Sequence, residues 1–269
     1  MPPATSDASS PTGKTPKKGG GAWKVLCGVL AACAVGCGGV YGLHAHDAAK
    51  EAARSAETPV VEVSAEPEVV LVDNPIDFRE LQLANSDVYA WVYVPETNVN
   101  LPVVQHPSDD FYYIDHNVDR ESSYEGSAYT QRCNALDFSD PCTVIYGHNN
   151  VDGQMFSTLH FFENEEFFDA QTEFYIYTPG HILRYEIVSA FMYDNRHILN
   201  SFDFTNEESR MKFFDTVVSP DSLVMNVAEG ASLDADDQVV VLSTCMSDGD
   251  TINRRYLVCG KLVEDTLTY

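Results

Sequence analysis

The sequence predicts a mainly β protein in which short strands form a closed barrel with helical additions. Short apolar and β-branched runs separated by turn residues recur between residues 89 and 193 and again after residue 238. Pro179-Gly180-His181 lies between two of these runs and predicts a hairpin turn. After this hairpin, only the segment 205–218 has firm helix signals. Many short strands with one or two helices are typical of a closed β-barrel.

The chain before the predicted barrel divides into three segments. Residues 1–24 are rich in Pro, Gly, Ser and Lys, which predicts a disordered tail. Residues 25–43 carry no charge and are long enough for a transmembrane helix. Residues 44–73 are rich in Ala, Glu, Pro and Val without a clear apolar face, which predicts an extracellular stalk. The folded domain then occupies residues 74–269.

The charges on either side of the predicted span indicate its orientation. Four lysines precede it, whereas Asp47 and Glu51 follow it, so the positive-inside rule predicts a single-pass protein of the cell membrane with a cytoplasmic N-terminus. A cleaved signal peptide and a lipoprotein signal at Leu30-Ala31-Ala32-Cys33 are the alternatives. The apolar run continues past Cys33, which favours a retained anchor.

The part of the chain after the span is strongly acidic. The whole sequence has 16 basic and 41 acidic residues, and residues 44–269 hold 12 and 40 of these, a net charge of −28. Such a surface repels polyanions, which argues against nucleic acid and anionic lipid as partners.

The cysteines of the folded domain do not predict a metal site. No CxxC pair or Cys/His cluster has the spacing of metal ligands, so we expect no metal and no cofactor. Cys133 and Cys142 are candidates for a disulfide across a loop in an oxidising exterior. Cys259 falls in the middle of a predicted strand and is expected to be structural.

The predicted elements of the folded domain begin with a short amphipathic helix at Ile76–Gln82. Strands are then predicted at Tyr89–Val94, Leu101–Gln105, Ser127–Thr130, Thr143–Tyr146, Phe174–Tyr177, Ile182–Tyr193, Gln238–Leu242 and Tyr256–Val263. The helix at 205–218 begins with a capping-box pattern in which Thr205 is the predicted N-cap and Glu208 stands three residues on. Its apolar face is supplied by Met211, Phe214, Val217 and Val218.

Chemistry is indicated at the ends of the last two predicted strands. Cys245 follows one of them and Arg255 directly precedes the next. A thiol and a guanidinium at the facing ends of adjacent strands can act together on one carbonyl group, because the thiolate attacks and the cation stabilises the resulting oxyanion. His148, in Tyr146-Gly147-His148-Asn149-Asn150, supplies a proton carrier. Alone, each residue has an ordinary structural explanation, so the prediction rests on the combination.

Two neighbouring arginines compete for the cationic role. In a strand that starts at Arg254, the even positions form an apolar face, whereas the odd positions form a mixed face that includes Arg255. Arg255 is therefore expected to project away from the core and to act in the site, with Arg254 facing solvent.

From Ile76 to its C-terminus the sequence resembles the class B sortases, membrane-anchored cysteine transpeptidases of Gram-positive bacteria. The motifs that carry the resemblance occur in family order: Leu81–Trp91, Thr97–Gln105, Gly126–Tyr129, Ile145–Asn149, Gly153–Leu159, Leu242-Ser243-Thr244-Cys245 and Arg255. The helix before the barrel and the helix at 205–218 also resemble class B additions.

The resemblance implies a fold and an activity. The expected fold is an eight-stranded sortase-type barrel with an N-terminal helical extension and a helix between the late strands. The expected reaction cleaves a surface-protein sorting signal, of the NPQTN or LPXTG kind, after its Thr. An amine of a peptidoglycan precursor, such as a lipid II-like molecule, then accepts the acyl group.

The resemblance also implies the residues of the site. His148, Cys245 and Arg255 are the expected catalytic residues, and Asn100, Ser243 and Thr244 are expected to support the site or bind substrate. Some relatives carry an acidic residue two positions after the cysteine, where this chain has Ser247.

Three other functions remain open from the sequence. A pilin-polymerising sortase would use a lysine of a pilin as the acceptor. A cysteine protease would resolve the acyl-enzyme with water. A membrane-tethered module without catalytic activity would bind a peptide in the barrel groove.

Overall fold

The structure, a computed structural model, describes residues 71–150, 152–246 and 253–269. The predicted tail, the predicted span and nearly all of the predicted stalk lie outside these residues, so their assignments stay predictions. Within the described ranges, no helix is both long and apolar enough to cross a membrane.

The described residues form nine strands, four α-helices and two 3-10 helices. The strands are β1 (Val88–Tyr93), β2 (Asn100–Val104), β3 (Ala128–Tyr129), β4 (Cys142–Tyr146), β5 (Glu173–Thr178), β6 (His181–Asp194), β7 (Met225–Val227), β8 (Val239–Cys245) and β9 (Arg254–Leu267). The helices are α1 (Phe78–Ala84), α2 (Glu165–Ala170), α3 (Ile198–Ser201) and α4 (Glu207–Val218), and the 3-10 helices are Tyr112–Ile114 and Ser157–Glu163.

Eight of the strands close into a barrel. Their order is β5-β1-β2-β3-β4-β8-β9-β6, and the N-terminal half of β6 pairs with β5 to close the ring, while its C-terminal half pairs with β7. The β4–β8 and β2–β3 pairs are parallel, and the other pairs are antiparallel. The predicted closed eight-stranded barrel with helices before and between its strands is therefore confirmed.

β8 and β9 are buried on both faces, which explains the continuous apolar run at the start of β8. Val240 and Tyr256 face the barrel interior, where they pack with aromatic residues such as Phe156. Val241 and Leu257 face outward, but they are covered by α4 and its neighbours. Strands covered on both sides lose the apolar–polar alternation of a half-exposed sheet. Residues 256–260 of β9 are thus buried between two cores, whereas both ends of the strand reach solvent.

Some local expectations were wrong. The N-cap of α4 is Asn206, whose side chain accepts a hydrogen bond from the backbone nitrogen of Ser209 (2.9 Å), whereas Thr205 donates its hydroxyl hydrogen to Asp203. The short helices α2 and α3 and the three-residue strand β7 were not predicted. Such short elements are held mainly by tertiary contacts, because isolated helices of this length are unstable.

The candidate disulfide between Cys133 and Cys142 is not formed. Cys133 is exposed and Cys142 is buried, and both are free thiols. Cys259 is fully buried in the outer core, as expected for a structural residue.

Candidate active site

Strand pairing places Cys245 and Arg255 directly opposite each other at the ends of β8 and β9. The backbone nitrogen of Met246 donates to the carbonyl oxygen of Arg254 (3.1 Å), so Cys245 and Arg255 form a non-hydrogen-bonded pair of the antiparallel ladder. Side chains approach most closely in such pairs. Nη1 of Arg255 accordingly lies 2.5 Å from Sγ of Cys245, at hydrogen-bonding distance.

His148 follows the end of β4, the strand parallel to β8. The backbone nitrogen of Gly147 donates to the carbonyl oxygen of Ser243 (3.1 Å), which extends the β4–β8 pairing to the residue before His148. Nε2 of His148 lies 2.6 Å from the carbonyl oxygen of Ile114, and the imidazole stacks near the exposed ring of Tyr124. Since a carbonyl oxygen only accepts, Nε2 carries a hydrogen, and Nδ1 remains to exchange a proton with other groups.

Gly147 has a steric role in placing this histidine. A Cβ atom at Gly147 would lie 2.6 Å from Cγ of Phe156, a side chain that is fully buried in the barrel interior. The backbone nitrogen of Phe156 also donates to the carbonyl oxygen of His148 (3.0 Å). The backbone at Gly147 and His148 is therefore held against the core by the close packing of Phe156 and by a hydrogen bond from its backbone nitrogen.

One cleft brings the three predicted catalytic residues together. It has a volume of about 170 Å³ and is lined by Ile114, Tyr129, Tyr146, Gly147, His148, Ser243, Cys245 and Arg255. Within the described residues, no hydrogen bond joins His148 directly to Cys245; they approach the cleft from β4 and β8. A thiol, an imidazole and a guanidinium thus share one partly exposed opening.

Two stacked tyrosines lie beside these residues. The rings of Tyr129 and Tyr146 are 5.4 Å apart. Burial raises the pKa of Tyr129 to about 12, an effect that the nearby Arg255 partly opposes. The phenol of Tyr129 therefore stays protonated at neutral pH, which suits a packing residue better than a general base.

Comparisons with known proteins identify the family of this chain. The sequence profile of the sortase domain matches residues 92–263. The chain belongs to the sortase family. The curated sortase B of Listeria monocytogenes is 28% identical over 193 residues, covering 70% of this chain and 74% of the relative. The curated sortase B of Staphylococcus aureus is 22% identical over 187 residues, covering 70% and 75%.

Solved structures agree on the class. The crystal structure of Clostridium perfringens sortase B matches with a TM-score of 0.62 and 30% identity, over 70% of this chain and all of the other. Sortase B from B. anthracis in complex with AAEK1 matches with a TM-score of 0.61 and 28% identity, over 70% of this chain and 84% of the other. This sortase is thus of class B, as its sequence motifs predicted. Family membership makes it a cysteine transpeptidase associated with the cell envelope.

The supporting residues expected in this sortase fall in three different places. Ser243 lies on the same face of β8 as Cys245 and lines the cleft. Thr244 points to the opposite face, toward the barrel interior, and its buried hydroxyl has no hydrogen-bond partner among the described residues. Asn100, at the exposed start of β2, accepts a hydrogen bond from Nε1 of Trp91 (2.6 Å) and does not line the cleft.

The two arginines separate as the strand alternation predicted. Arg255 contacts the thiol, whereas the neighbouring Arg254 is exposed and lines a different surface pocket with Asp194 and Arg196. Ser247, where some relatives have an acidic residue, lies outside the described residues.

Sequence reasoning missed three residues behind Cys245 in this sortase. Asn149 donates a side-chain hydrogen bond to the carbonyl oxygen of Cys245 (2.9 Å), and Nε2 of His160 lies 3.0 Å from the same oxygen. Glu163 in turn contacts Nδ1 of His160 at 2.6 Å. The available signal was the spacing of His160 and Glu163, since residues three apart face each other on one helical turn.

Proposed function

We propose that this sortase cleaves the C-terminal sorting signal of a surface protein after its Thr and transfers the acyl group to an amine of a peptidoglycan precursor. The observation that carries the proposal is the contact between Arg255 and Sγ of Cys245 in a cleft that also includes His148. The membership of the family and the class of its relatives support the same reaction.

Cys245 acts as the nucleophile. The thiolate is the reactive form of a cysteine, and an adjacent cation favours it. Attack on the carbonyl carbon of the Thr in the sorting signal forms the carbon–sulfur bond and moves negative charge to the carbonyl oxygen. Arg255 is always charged and cannot serve as the base, so its role is to stabilise the thiolate and then that oxyanion.

His148 transfers the proton at Nδ1, because Nε2 donates a hydrogen bond to the carbonyl oxygen of Ile114. It receives the thiol proton, either before substrate binds or during attack. Nδ1–H then protonates the departing amine as the carbon–nitrogen bond breaks, which leaves a thioester on Cys245. The incoming amine attacks the thioester, gives a proton to Nδ1 and displaces the sulfur as a thiolate, which restores the starting pair of Cys245 and His148.

The identity of the acceptor separates the proposed function from hydrolysis. The test incubates the protein with peptides that contain NPQTN or LPXTG, in the presence and absence of triglycine, and analyses the products by mass spectrometry. The expected product is an amide that ends in triglycine. Its formation should require Cys245, so the control variant Cys245→Ala should not form it. Release of the free acid alone, at a rate that triglycine does not change, would instead identify a hydrolase. A lysine-containing peptide is offered as a second acceptor. Its preference over triglycine would favour pilin polymerisation.

We further propose that residues 25–43 anchor the enzyme in the cell membrane with the catalytic domain outside. The 19 uncharged residues and the four preceding lysines support this topology. Protease treatment of intact cells that express the full chain is expected to degrade the domain but to spare an N-terminal tag. Release of the full-length protein into the medium, or protection of the domain, would contradict the proposed anchor.

A further inference from the structure

The backbone carbonyl of Cys245 lies at the point where the β4–β8 pairing ends. On β8, carbonyl groups two residues apart point to the same side. The carbonyl oxygen of Ser243 accepts the backbone hydrogen of Gly147, and that of Cys245 is the next one on this side. β4 ends at Tyr146. The carbonyl oxygen of the candidate nucleophile Cys245 therefore accepts its hydrogen bonds on this side from side chains and not from β4.

Two side chains replace the missing strand. Nδ2 of Asn149 donates to the carbonyl oxygen of Cys245 at 2.9 Å, and Nε2 of His160 lies 3.0 Å from the same oxygen. Nδ2 of Asn149 and Nε2 of His160 are themselves 3.0 Å apart. These three atoms form a triangle directly behind the residue that carries the thiol.

Two further contacts hold the ring of His160. Its Nδ1 lies 2.6 Å from Oε1 of Glu163, within the same 3-10 helix. Its ring stacks on that of Tyr256, with a centroid distance of 4.9 Å, and Tyr256 is fully buried. The side chain of His160 is only 17% exposed. Glu163 and Tyr256 thus determine where Nε2 points.

The hydrogen-bonding chemistry of this cluster is consistent in both charge states of the ring. A carboxylate only accepts, so Nδ1 of His160 donates to Glu163 in either state. In the neutral ring, Nε2 accepts one hydrogen of the Asn149 amide while the other hydrogen goes to Cys245. In the imidazolium, Nε2 donates to the carbonyl of Cys245 directly. In both states His160 supports the hydrogen bonding at this carbonyl.

We propose that His160, oriented by Glu163, is a positioning residue for Cys245. It fixes the peptide unit of the nucleophile where strand pairing has ended, and so fixes the direction of the thiol toward Arg255 and the cleft. His160 does not line the cleft, which separates its role from that of His148. The inference rests on the proposed function for its effect on turnover, although its effect on the thiol is independent of any substrate.

The variants are chosen to separate positioning from packing. His160→Ala removes the ring, and His160→Gln restores a side-chain amide donor near the position of Nε2. Glu163→Gln keeps the size of the carboxylate but weakens its contact with Nδ1. His181→Gln is the matched control, because Nδ1 of His181 also lies close to a carboxylate, that of Asp265 at 2.8 Å. His181 pairs with Leu267 at the end of β9, whereas Arg255 lies at the start of that strand.

Two readouts are measured for each variant in the full chain with Cys133→Ala, which removes the exposed thiol of the described residues, and alkylation is followed on the peptide that contains Cys245. The first is kcat and KM for cleavage of the NPQTN or LPXTG peptide. The second is the rate at which iodoacetamide alkylates Cys245 as a function of pH, which requires no peptide activity. The thermal unfolding midpoint is recorded alongside.

The proposal expects His160→Ala to lower kcat by about tenfold to a hundredfold, with KM nearly unchanged, since small misplacements of a reacting group have effects of this size. The pH profile of alkylation is expected to change in the same variant. His160→Gln should recover most of both losses, Glu163→Gln should lie between, and His181→Gln should match the parent protein.

Either of two results would overturn the proposal. One is a parent-like kcat and alkylation profile in His160→Ala. The other is a loss in His160→Ala that follows the unfolding midpoint and that His160→Gln does not restore, because that pattern identifies a packing role. If the parent protein cleaves neither peptide, the proposed function fails for these substrates, and the alkylation profiles still decide the role of His160.

Discussion

Arg255 contacts the sulfur of Cys245 across a non-hydrogen-bonded pair of β8 and β9. The pairing itself creates this contact, because residues in such a pair bring their side chains closest together. Arg254 is one residue away and carries the same charge, yet it is exposed on another surface. The chain therefore contains its own control for the role of the cation.

The first prediction compares these two arginines. Arg255→Ala is expected to lower kcat/KM for peptide cleavage by about a hundredfold or more, the usual effect of removing one oxyanion donor. Arg255→Lys should restore only part of the loss, because an ammonium group does not reproduce the guanidinium geometry. Arg254→Ala should keep the activity of the parent protein. Equal losses in Arg254→Ala and Arg255→Ala would show that only general surface charge matters.

The second prediction concerns Gly147. A Cβ atom there would overlap the ring of Phe156, so Gly147→Ala must displace either that ring or the backbone before His148. We expect a lower kcat together with a lower unfolding midpoint, measured by peptide cleavage and thermal denaturation. Gly230→Ala is a control for the general effect of replacing a glycine, since no atom lies within 4 Å of a Cβ atom there, although its positive φ adds local backbone strain. A fully active Gly147→Ala enzyme would argue against tight steric control of His148.

The third prediction tests the corrected start of α4. Asn206→Ala removes the side-chain acceptor for the backbone nitrogen of Ser209 and should destabilise the protein by about 1 kcal/mol in urea unfolding. Thr205→Ala should change the free energy of unfolding by less than about 0.5 kcal/mol, because Thr205 contacts only an exposed aspartate. The reverse order of the two effects would restore Thr205 as the cap.

The fourth prediction concerns stability at alkaline pH. Burial raises the pKa of Tyr129 from 10.0 to about 12, so above pH 10 the native state retains a proton that the unfolded state loses. The contribution of Tyr129 to stability is therefore complete below pH 10 and decreases as the pH rises from 10 to about 12. Urea unfolding across this range should show a smaller decrease in Tyr129→Phe than in the parent protein. An identical decrease in both proteins would contradict the raised pKa.

The sequence predicted the site best where it depends on strand order and alternation. Cys245 ends a β-branched run and Arg255 opens the next strand, so their proximity follows from one hairpin-like pairing. The role of His160 could not be predicted in this way, because its contact with Cys245 joins residues 85 positions apart in the chain. The separation of Ser243 from Thr244 follows from strand alternation alone, whereas the distance of Asn100 from the cleft depends on how the barrel closes.

The cap of α4 illustrates a local limit. Thr205 and Asn206 are adjacent and both favour N-cap positions, so their composition cannot decide between them. The hydrogen bond from Thr205 to Asp203 engages its hydroxyl in the preceding turn and leaves Asn206 to cap the helix. Neighbouring side chains compete to cap the same backbone groups, and the sequence pattern alone does not decide which of them does so.

The central claim is that Cys245 forms a thioester with the acyl part of a sorting signal, and intact-protein mass spectrometry tests it most directly. The protein is mixed with NPQTN and LPXTG peptides without an amine acceptor and is then denatured in acid. The account predicts an added mass equal to the peptide fragment that ends in Thr, located on Cys245 and removed by hydroxylamine, and absent from Cys245→Ala. Cleavage of the same peptides by Cys245→Ala at the rate of the parent protein would contradict the account.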